Sequence, residues 1–305
     1  MKLLLIGAGR TGSHAAKLLA QKLSGKDQLA IVDRDALEES NLSGCALYLK
    51  KDVGRLKAAL LADKISSKTK CKVIAFSEHL TLSNIGRIAR GAQVVLDCTD
   101  NWQTRILINE HCWKKRIPWV YAGAIKNRAM CTAIAPRKTA CFACWAKKPT
   151  AIQSCSEQGV EQKALEWIAQ VQVGQALLLA SGKKAGLEGK LLFFDSENNF
   201  ERIVRLAKNP ACEFCALGKS LYQGEGFAVL CGGKEWLFRN DLKAESASGI
   251  YSKLEGLERK IVGGTVKVKI RGSEATVLPN GSVMVRSKNE RHAAAANQAI
   301  AQKIC

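Results

Sequence analysis

Four cysteines fall into two Cys-x-x-Cys pairs, Cys141/Cys144 and Cys212/Cys215. Two such knuckles supply the four thiolates that close a tetrahedral zinc site, and the expected role of the metal is structural. The chain opens with Gly7-Ala8-Gly9-Arg10-Thr11-Gly12. Glycines at this spacing let backbone N–H groups approach a phosphate at the mouth of a helix. Asp33 ends the next apolar run, where such sites carry an acid for ribose hydroxyls. By itself the loop does not choose between NAD and ATP.

These residues need a frame. Apolar runs at 3–6, 29–32, 72–75, 94–96 and 119–122 read as strands, and helical spacing fills 10–23, 55–65 and 101–115 between them. Such alternation predicts a mostly parallel sheet with helices on both faces, a Rossmann-like doubly wound α/β fold. Residues 136–156, rich in Cys, Lys, Pro and Ser, read as a zinc-anchored loop. A helix over 161–181 and strands at 191–194 and 203–206 follow, and then the second cysteine pair. From residue 227 the pattern changes to short strands at 265–270, 275–278 and 283–285, with a Pro279-Asn280-Gly281 turn and a last helix over 290–303. The expected division is a nucleotide-binding domain over 1–218 and a small α+β domain over 219–305.

Composition narrows the function classes. At 47% hydrophobic residues the chain can build a full core. It has no run near the roughly 20 apolar residues of a membrane span. Met1 to Ile6 is too short for an export signal and leads straight into the glycines, so we read it as a buried strand and the protein as cytoplasmic. Twelve cysteines in such a chain imply reduced thiols, some bound to metal. The net charge of +20 fits a lysine-rich solvated surface or, as a functional reading, an acidic partner, either a nucleic acid or an acidic protein. With aromatics at only 6% and no basic run interleaved with them, an acidic protein fits at least as well as a nucleic acid. The other cysteines and the four histidines match no ligand pattern, and the cysteines outside the two pairs read mostly as small apolar packing.

The wider series is more specific. Asp33-Arg34-Asp35 is followed by Ser40-Asn41-Leu42, Asp52-Val53-Gly54-Arg55-Leu56-Lys57 and Asp97-Cys98-Thr99-Asp100-Asn101. Thr104-Arg105, Asn109 and Cys141-Phe142-Ala143-Cys144 come next, then Ser154-Cys155 with Gly159-Val160, and finally Cys212-Glu213-Phe214-Cys215. In this order, over residues 1 to about 218, the chain resembles the ThiF/MoeB/HesA family of ubiquitin-activating-like adenylyltransferases. Its tail is similar to the C-terminal extension of longer members. The resemblance implies Mg-ATP as co-substrate and, as substrate, the C-terminal glycine carboxylate of a small acidic ubiquitin-like sulfur carrier ending in Gly-Gly. It also implies a homodimer. Gly7, Gly9 and Gly12 would form the nucleotide loop, with Asp33 on the ribose and Asp35 and Asn41 beside it. Lys57 would contact the phosphates, Asp100 would hold magnesium with Asn101 next to it, and Cys155 would take part in sulfur transfer or a covalent link.

Two departures from the family pattern stand out. Where members carry Arg-Gln after Ser-Asn-Leu-x, this chain reads Gly44-Cys45, and it starts at the strand without the preceding segment that lends an arginine to the partner subunit. Arg10 and Arg55 are the candidate substitutes. Three readings stay open beside sulfur-carrier adenylation: another carboxylate substrate, an ATP-binding adaptor that has lost catalysis, and a more distant NAD-dependent oxidoreductase.

Overall fold

In the computed structural model, residues 1–147, 160–222, 227–229, 235–239, 246–279 and 281–304 are described. An eight-stranded sheet has the order β3-β2-β1-β4-β5-β6-β7-β8. Its parallel half consists of β1 (Lys2–Ile6), β2 (Gln28–Val32), β3 (Lys72–Phe76), β4 (Val94–Asp97) and β5 (Trp119–Ile125). β6 (Arg128–Ile134), β7 (Lys190–Asp195) and β8 (Phe200–Arg205) continue it antiparallel.

β1 is apolar at every position after Lys2 because both of its faces are covered. Leu3 and Leu5 point into one core, with α1 (Arg10–Lys22), α2 (Lys57–Ser66) and α6 (Gln162–Ala180). Leu4 and Ile6 point into the other, with α3 (Ile85–Ile88), α4 (Trp102–Lys115) and α5 (Phe142–Trp145). The predicted alternation is therefore present. Three details differ from it. β6 was not expected, because Ala129-Met130-Cys131-Thr132-Ala133 has neither β-branched enrichment nor polar alternation. α2 begins at Lys57 rather than at residue 55, since Leu56 is extended as its N-cap. The expected zinc-anchored loop contains the short helix α5, and its residues 148–156 lie outside the described ones.

A second, six-stranded antiparallel sheet has the order β11-β12-β13-β14-β10-β9. Its strands are β9 (Phe227–Val229), β10 (Glu235–Arg239), β11 (Glu258–Val262), β12 (Thr265–Ile270), β13 (Ser273–Val277) and β14 (Ser282–Arg286). Val266, Val268, Val277 and Val285 meet Ala293, Ala296 and Ile300 of α8 (Glu290–Ile304) and Ile250 of α7 (Ala247–Lys253) in a core of their own. Short strands and a last helix were expected here; β9 to β11 and α7 were not. Among the described residues, this sheet packs tightly against the first unit where Gly263 meets Gly54. A Cβ on Gly263 would fall 1.3 Å from the Gly54 carbonyl oxygen, and one on Gly54 would fall 2.2 Å from Val262 Cγ1. Glu38 adds ion pairs to Arg286 (3.5 Å) and Lys267 (4.0 Å). Among the described residues no helix is long and apolar enough to cross a membrane.

Candidate active site and metal centre

β1 lies between β2 and β4, and the direction in which strands are added reverses there. A crevice opens at such a point, outside the carboxyl ends of the strands. The glycine loop sits in it. Gly7 has φ +95°, and a Cβ there would lie 2.7 Å from the Cys98 carbonyl oxygen. A Cβ on Gly12 would lie 1.9 Å from the Gly7 carbonyl oxygen, so α1 can close onto the loop only through a glycine. Gly9 differs: a Cβ there would meet no protein atom within 4 Å. The fold itself requires two of the three glycines, while Gly9 faces open space in a cavity of about 290 Å³.

One wall of that cavity is a charged network. Asp33 Oδ2 accepts from the Ala8 N–H at 2.6 Å and Oδ1 from the Asp35 N–H at 2.8 Å. Burial and then the neighbouring Asp35 charge raise the Asp33 carboxyl, against the pull of Lys57. Asp35 lies 3.4 Å from Lys57 Nζ and 3.2 Å from Arg34 Nε. Burial alone would raise the Asp35 carboxyl, but these two cations outweigh it and hold the group below its ordinary value. Lys57 is buried. Desolvation would lower its ammonium, yet Asp35, Asp33 and Asp100 push it up to about 12, so it stays charged. An Ala36–Leu56 bridge and the Lys57 N–H to the Asp35 carbonyl (2.8 Å) lock Lys57 to the β2 exit.

The opposite wall follows β4. Asp97 is fully buried. Its Oδ1 accepts from the Thr99 N–H (3.0 Å) and hydroxyl (2.7 Å), and its Oδ2 lies 3.4 Å from Arg105 Nε. Burial raises the Asp97 carboxyl and Arg105 opposes it. Asn101 caps α4 by accepting from the Thr104 N–H at 3.0 Å, and Asp100 stands exposed beside it. From the other face, Gln172 of α6 donates to the Asp97 and Val120 carbonyls at 2.8 and 3.0 Å, stapling β4 to β5 under the site.

Of the residues singled out from sequence, Gly7, Gly9, Arg10, Asp33, Asp35, Asn41, Lys57, Asp100 and Asn101 line this one cavity, and Gly12 packs beneath it. Arg55 does not line it. Its guanidinium pairs with Asp63 (2.5 Å) and Asp52 (3.9 Å) on the outer side of α2, which corrects the expectation that it supplies a cation to the site. Cys155 lies outside the described residues. Arg34 and His79, joined by a 2.6 Å hydrogen bond, and Cys45 and Cys98 also line the cavity without matching any sequence pattern. Only the fold brings them together.

The four paired cysteines converge. Their sulfurs all lie within 4.8 Å of one another, with Cys141–Cys144 at 3.7 Å, Cys141–Cys212 at 3.8 Å and Cys144–Cys215 at 3.4 Å. A tetrahedral zinc with Zn–S near 2.3 Å sets sulfur separations of about 3.8 Å. The donor set therefore fits such an ion. Burial and the adjacent sulfurs raise the Cys141 thiol, a strain that a bound dication relieves by taking the thiolates. Asn109 fixes the first knuckle by accepting from the Phe142 N–H at 2.8 Å. Buried Glu110 accepts from the Leu221 and Tyr222 N–H groups at 2.6 and 2.9 Å, just beyond the second.

Comparison with known proteins agrees with this geometry. The chain matches the model of the ThiF family over residues 1–214. It is 30% identical to the sulfur carrier protein ThiS adenylyltransferase of Bacillus subtilis, over 79% of this chain and 74% of that one. It is 29% identical to the SAMP-activating enzyme E1 of Haloferax volcanii, over 71% of this chain and 81% of that one. Among solved structures it is similar to MccB of E. coli, with a TM-score of 0.61 at 17% identity, covering 70% of this chain and 67% of MccB, a likeness of fold.

Proposed function

Since this chain belongs to the ThiF family, we propose that it is an adenylyltransferase that uses ATP to activate the C-terminal carboxylate of a small ubiquitin-like sulfur carrier. One observation carries the reading. A single cavity joins the open face of Gly9, the ribose-ready Asp33, the charged Lys57 and the exposed Asp100 at the switch point of the sheet. The match to the ThiF family favours adenylylation over an NAD-dependent oxidoreductase.

In this reading the α1 N-terminus and the Gly9 N–H face the phosphates, and Asp33 accepts from the ribose hydroxyls. Lys57 neutralises phosphate charge, releasing part of its hold on Asp35. Asp100 holds magnesium, which supplies charge neutralisation on the departing phosphates. The carrier's carboxylate oxygen attacks the α-phosphorus. The bond from that phosphorus to the bridging oxygen breaks, and the oxygen keeps the electron pair and leaves with pyrophosphate. A carboxylate is already deprotonated, so the step needs no general base. The protein's contribution is alignment and electrostatics. Asn101 and Asn41 set the walls, Cys155 is the candidate for sulfur transfer or a covalent link to the carrier, and a structural zinc would fill the four-cysteine centre. We further propose an acidic carrier with a Gly-Gly end, a cytoplasmic setting, a homodimer, and a separate C-terminal domain after residue 218.

The test is ATP–pyrophosphate exchange with purified chain, magnesium and Gly-Gly-ended carriers. Exchange that appears only with a carrier, together with the acyl-AMP mass on that carrier, is the expected result. Exchange driven instead by unrelated carboxylates would replace the carrier with another substrate. ATP bound without any exchange would reduce the protein to a nucleotide-binding adaptor.

A further inference from the structure

We infer that Arg10 is the cation that grips the polyphosphate of the bound nucleotide, and that Gly44 is the residue that makes room for it. The inference rests on the reading that the cavity takes ATP.

Arg10 is the first residue of α1, and the first turn carries no acid. A cation there faces the positive end of the helix dipole, the end that disfavours it. Such a placement calls for an anion nearby, and among the described residues no acid pairs with Arg10. Of the cations lining the cavity, Arg34 and Lys57 pair with Asp35, and Arg105 pairs with Asp97. Among the described residues Arg10 makes no ion pair. Its one hydrogen bond there runs from Nε to the Ser43 carbonyl at 3.0 Å, which leaves both terminal nitrogens of the fork for a ligand.

The side chain is also held in place. Three bonds strap residues 43–46 to the first turns of α1: Arg10 Nε to Ser43, His14 Nε2 to the Gly44 carbonyl at 3.1 Å, and the Ala46 N–H to Ser13 Oγ at 3.0 Å. Gly44 has φ +84°, and a Cβ there would meet Leu165 Cδ1 at 3.2 Å and the Arg10 side chain at 3.3 Å (Cδ) and 3.5 Å (Nε). A side chain at 44 would meet an unfavourable φ and press on the Arg10 and Leu165 side chains, which must give by a few tenths of an ångström. Arg10 and Lys57 line the same cavity as Cys45 and Gly9, and a Cβ on Gly9 would meet no protein atom within 4 Å. That cavity has the charge and the room for a polyphosphate.

Calorimetric titration of the full chain with adenosine, AMP, ATP and tripolyphosphate tests the assignment, in the wild type and in Arg10→Gln, Arg10→Lys and Gly44→Ala. Arg10→Gln is expected to weaken ATP and tripolyphosphate binding about tenfold or more and to leave adenosine unchanged, with Arg10→Lys recovering part of the loss. Gly44→Ala is expected to weaken ATP in the same way, and Arg10→Gln/Gly44→Ala to be no worse than Arg10→Gln alone. Equal ATP affinity in wild type and Arg10→Gln overturns the role of Arg10, and additive losses in the double variant overturn the role of Gly44. A folded wild type that takes neither ATP nor tripolyphosphate overturns the nucleotide reading itself. If Gly44→Ala does not fold, the Arg10 variants still decide.

Discussion

The ring of Phe142 lies 5.3 Å from the indole of Trp102, and this contact ties the four-cysteine centre to the end of α4 that faces the nucleotide cavity. Phe142 follows Cys141, the first cysteine of the four-cysteine centre, and Trp102 follows the helix cap Asn101. Trp119, Tyr121 and Trp145 complete the cluster at 6.0, 5.5 and 5.1 Å from Phe142. Through Phe142 the cysteine knuckle thus packs against Trp102, the residue that follows Asn101.

Metal loss should therefore be felt at the active site. Cys144→Ser is expected to release one zinc per chain, lower the melting temperature and reduce ATP–pyrophosphate exchange. Phe142→Leu should keep the metal yet still lower exchange, because only the ring packing is changed. Zinc content by atomic absorption, read beside the exchange rate, separates the two variants. Full activity in a metal-free Cys144→Ser chain would cut the link between the centre and the cavity.

Lys57 and Asp35 give a pH signature. The Lys57 ammonium is raised to about 12 and the Asp35 carboxyl is lowered, so the pair stabilises the fold only while both are charged. The raised lysine contributes fully below its unfolded value near 10.4 and loses that contribution as pH climbs towards 12. The depressed Asp35 contributes above its unfolded value of about 3.9 and loses it below. Lys57→Met should cost about 2 kcal/mol at neutral pH, the equivalent of the lysine shift. Urea melts from pH 3 to 12 should show the gap from wild type flat in the middle and shrinking at both ends. A gap that persists unchanged at pH 12 would assign the loss to packing.

Much of this site was legible in the sequence wherever a constraint is local. Gly7 and Gly12 are set by one turn and one helix start, Asp33 by the end of a strand, and the cysteines by their knuckle spacing. The legible part ends where contacts run between distant segments. Arg34 and His79 are 45 residues apart, and Gln172 reaches Asp97 across 75. No periodicity announces either pair. Arg55 was misread for a geometric reason: Leu56 is extended, the helix starts at Lys57, and the guanidinium swings out to Asp52 and Asp63. The close approach of the second sheet rests on Gly54 and Gly263, two glycines more than 200 residues apart with no local pattern to join them.

The three loop glycines should separate in experiment. Gly12→Ala places a methyl 1.9 Å from the Gly7 carbonyl oxygen and should destabilise the chain by about 1–3 kcal/mol or more. Gly9→Ala meets no protein atom, and its φ of −80° does not require glycine, so its melting temperature should stay near wild type. Its methyl instead enters the space reserved for phosphate, and ATP affinity should fall. Thermal melts paired with ATP titration check both. A Gly9→Ala chain that binds ATP as tightly as wild type would mean that the phosphates lie elsewhere.

The contact between the two sheets places a further demand on the nucleotide wall. Gly263 sits on Gly54, and Glu38 is paired to Arg286 and Lys267. These two points bracket the segment that carries Ser40, Asn41 and Cys45 into the cavity and leads to Lys57. A side chain at 263 cannot be accommodated while Gly54 stays in place, so Gly263→Val should push the second sheet off the segment. The second sheet keeps its own core of Val266, Val277, Val285 and Ile300, and should stay folded. ATP affinity is expected to fall in Gly263→Val. A smaller fall is expected in Glu38→Gln, where only partly exposed ion pairs worth about 0.2–1 kcal/mol each are lost. Hydrogen exchange over residues 39–53 should rise in Gly263→Val relative to wild type. If exchange there is unchanged while ATP binding drops, the second sheet acts on the cavity by some route other than bracing this segment.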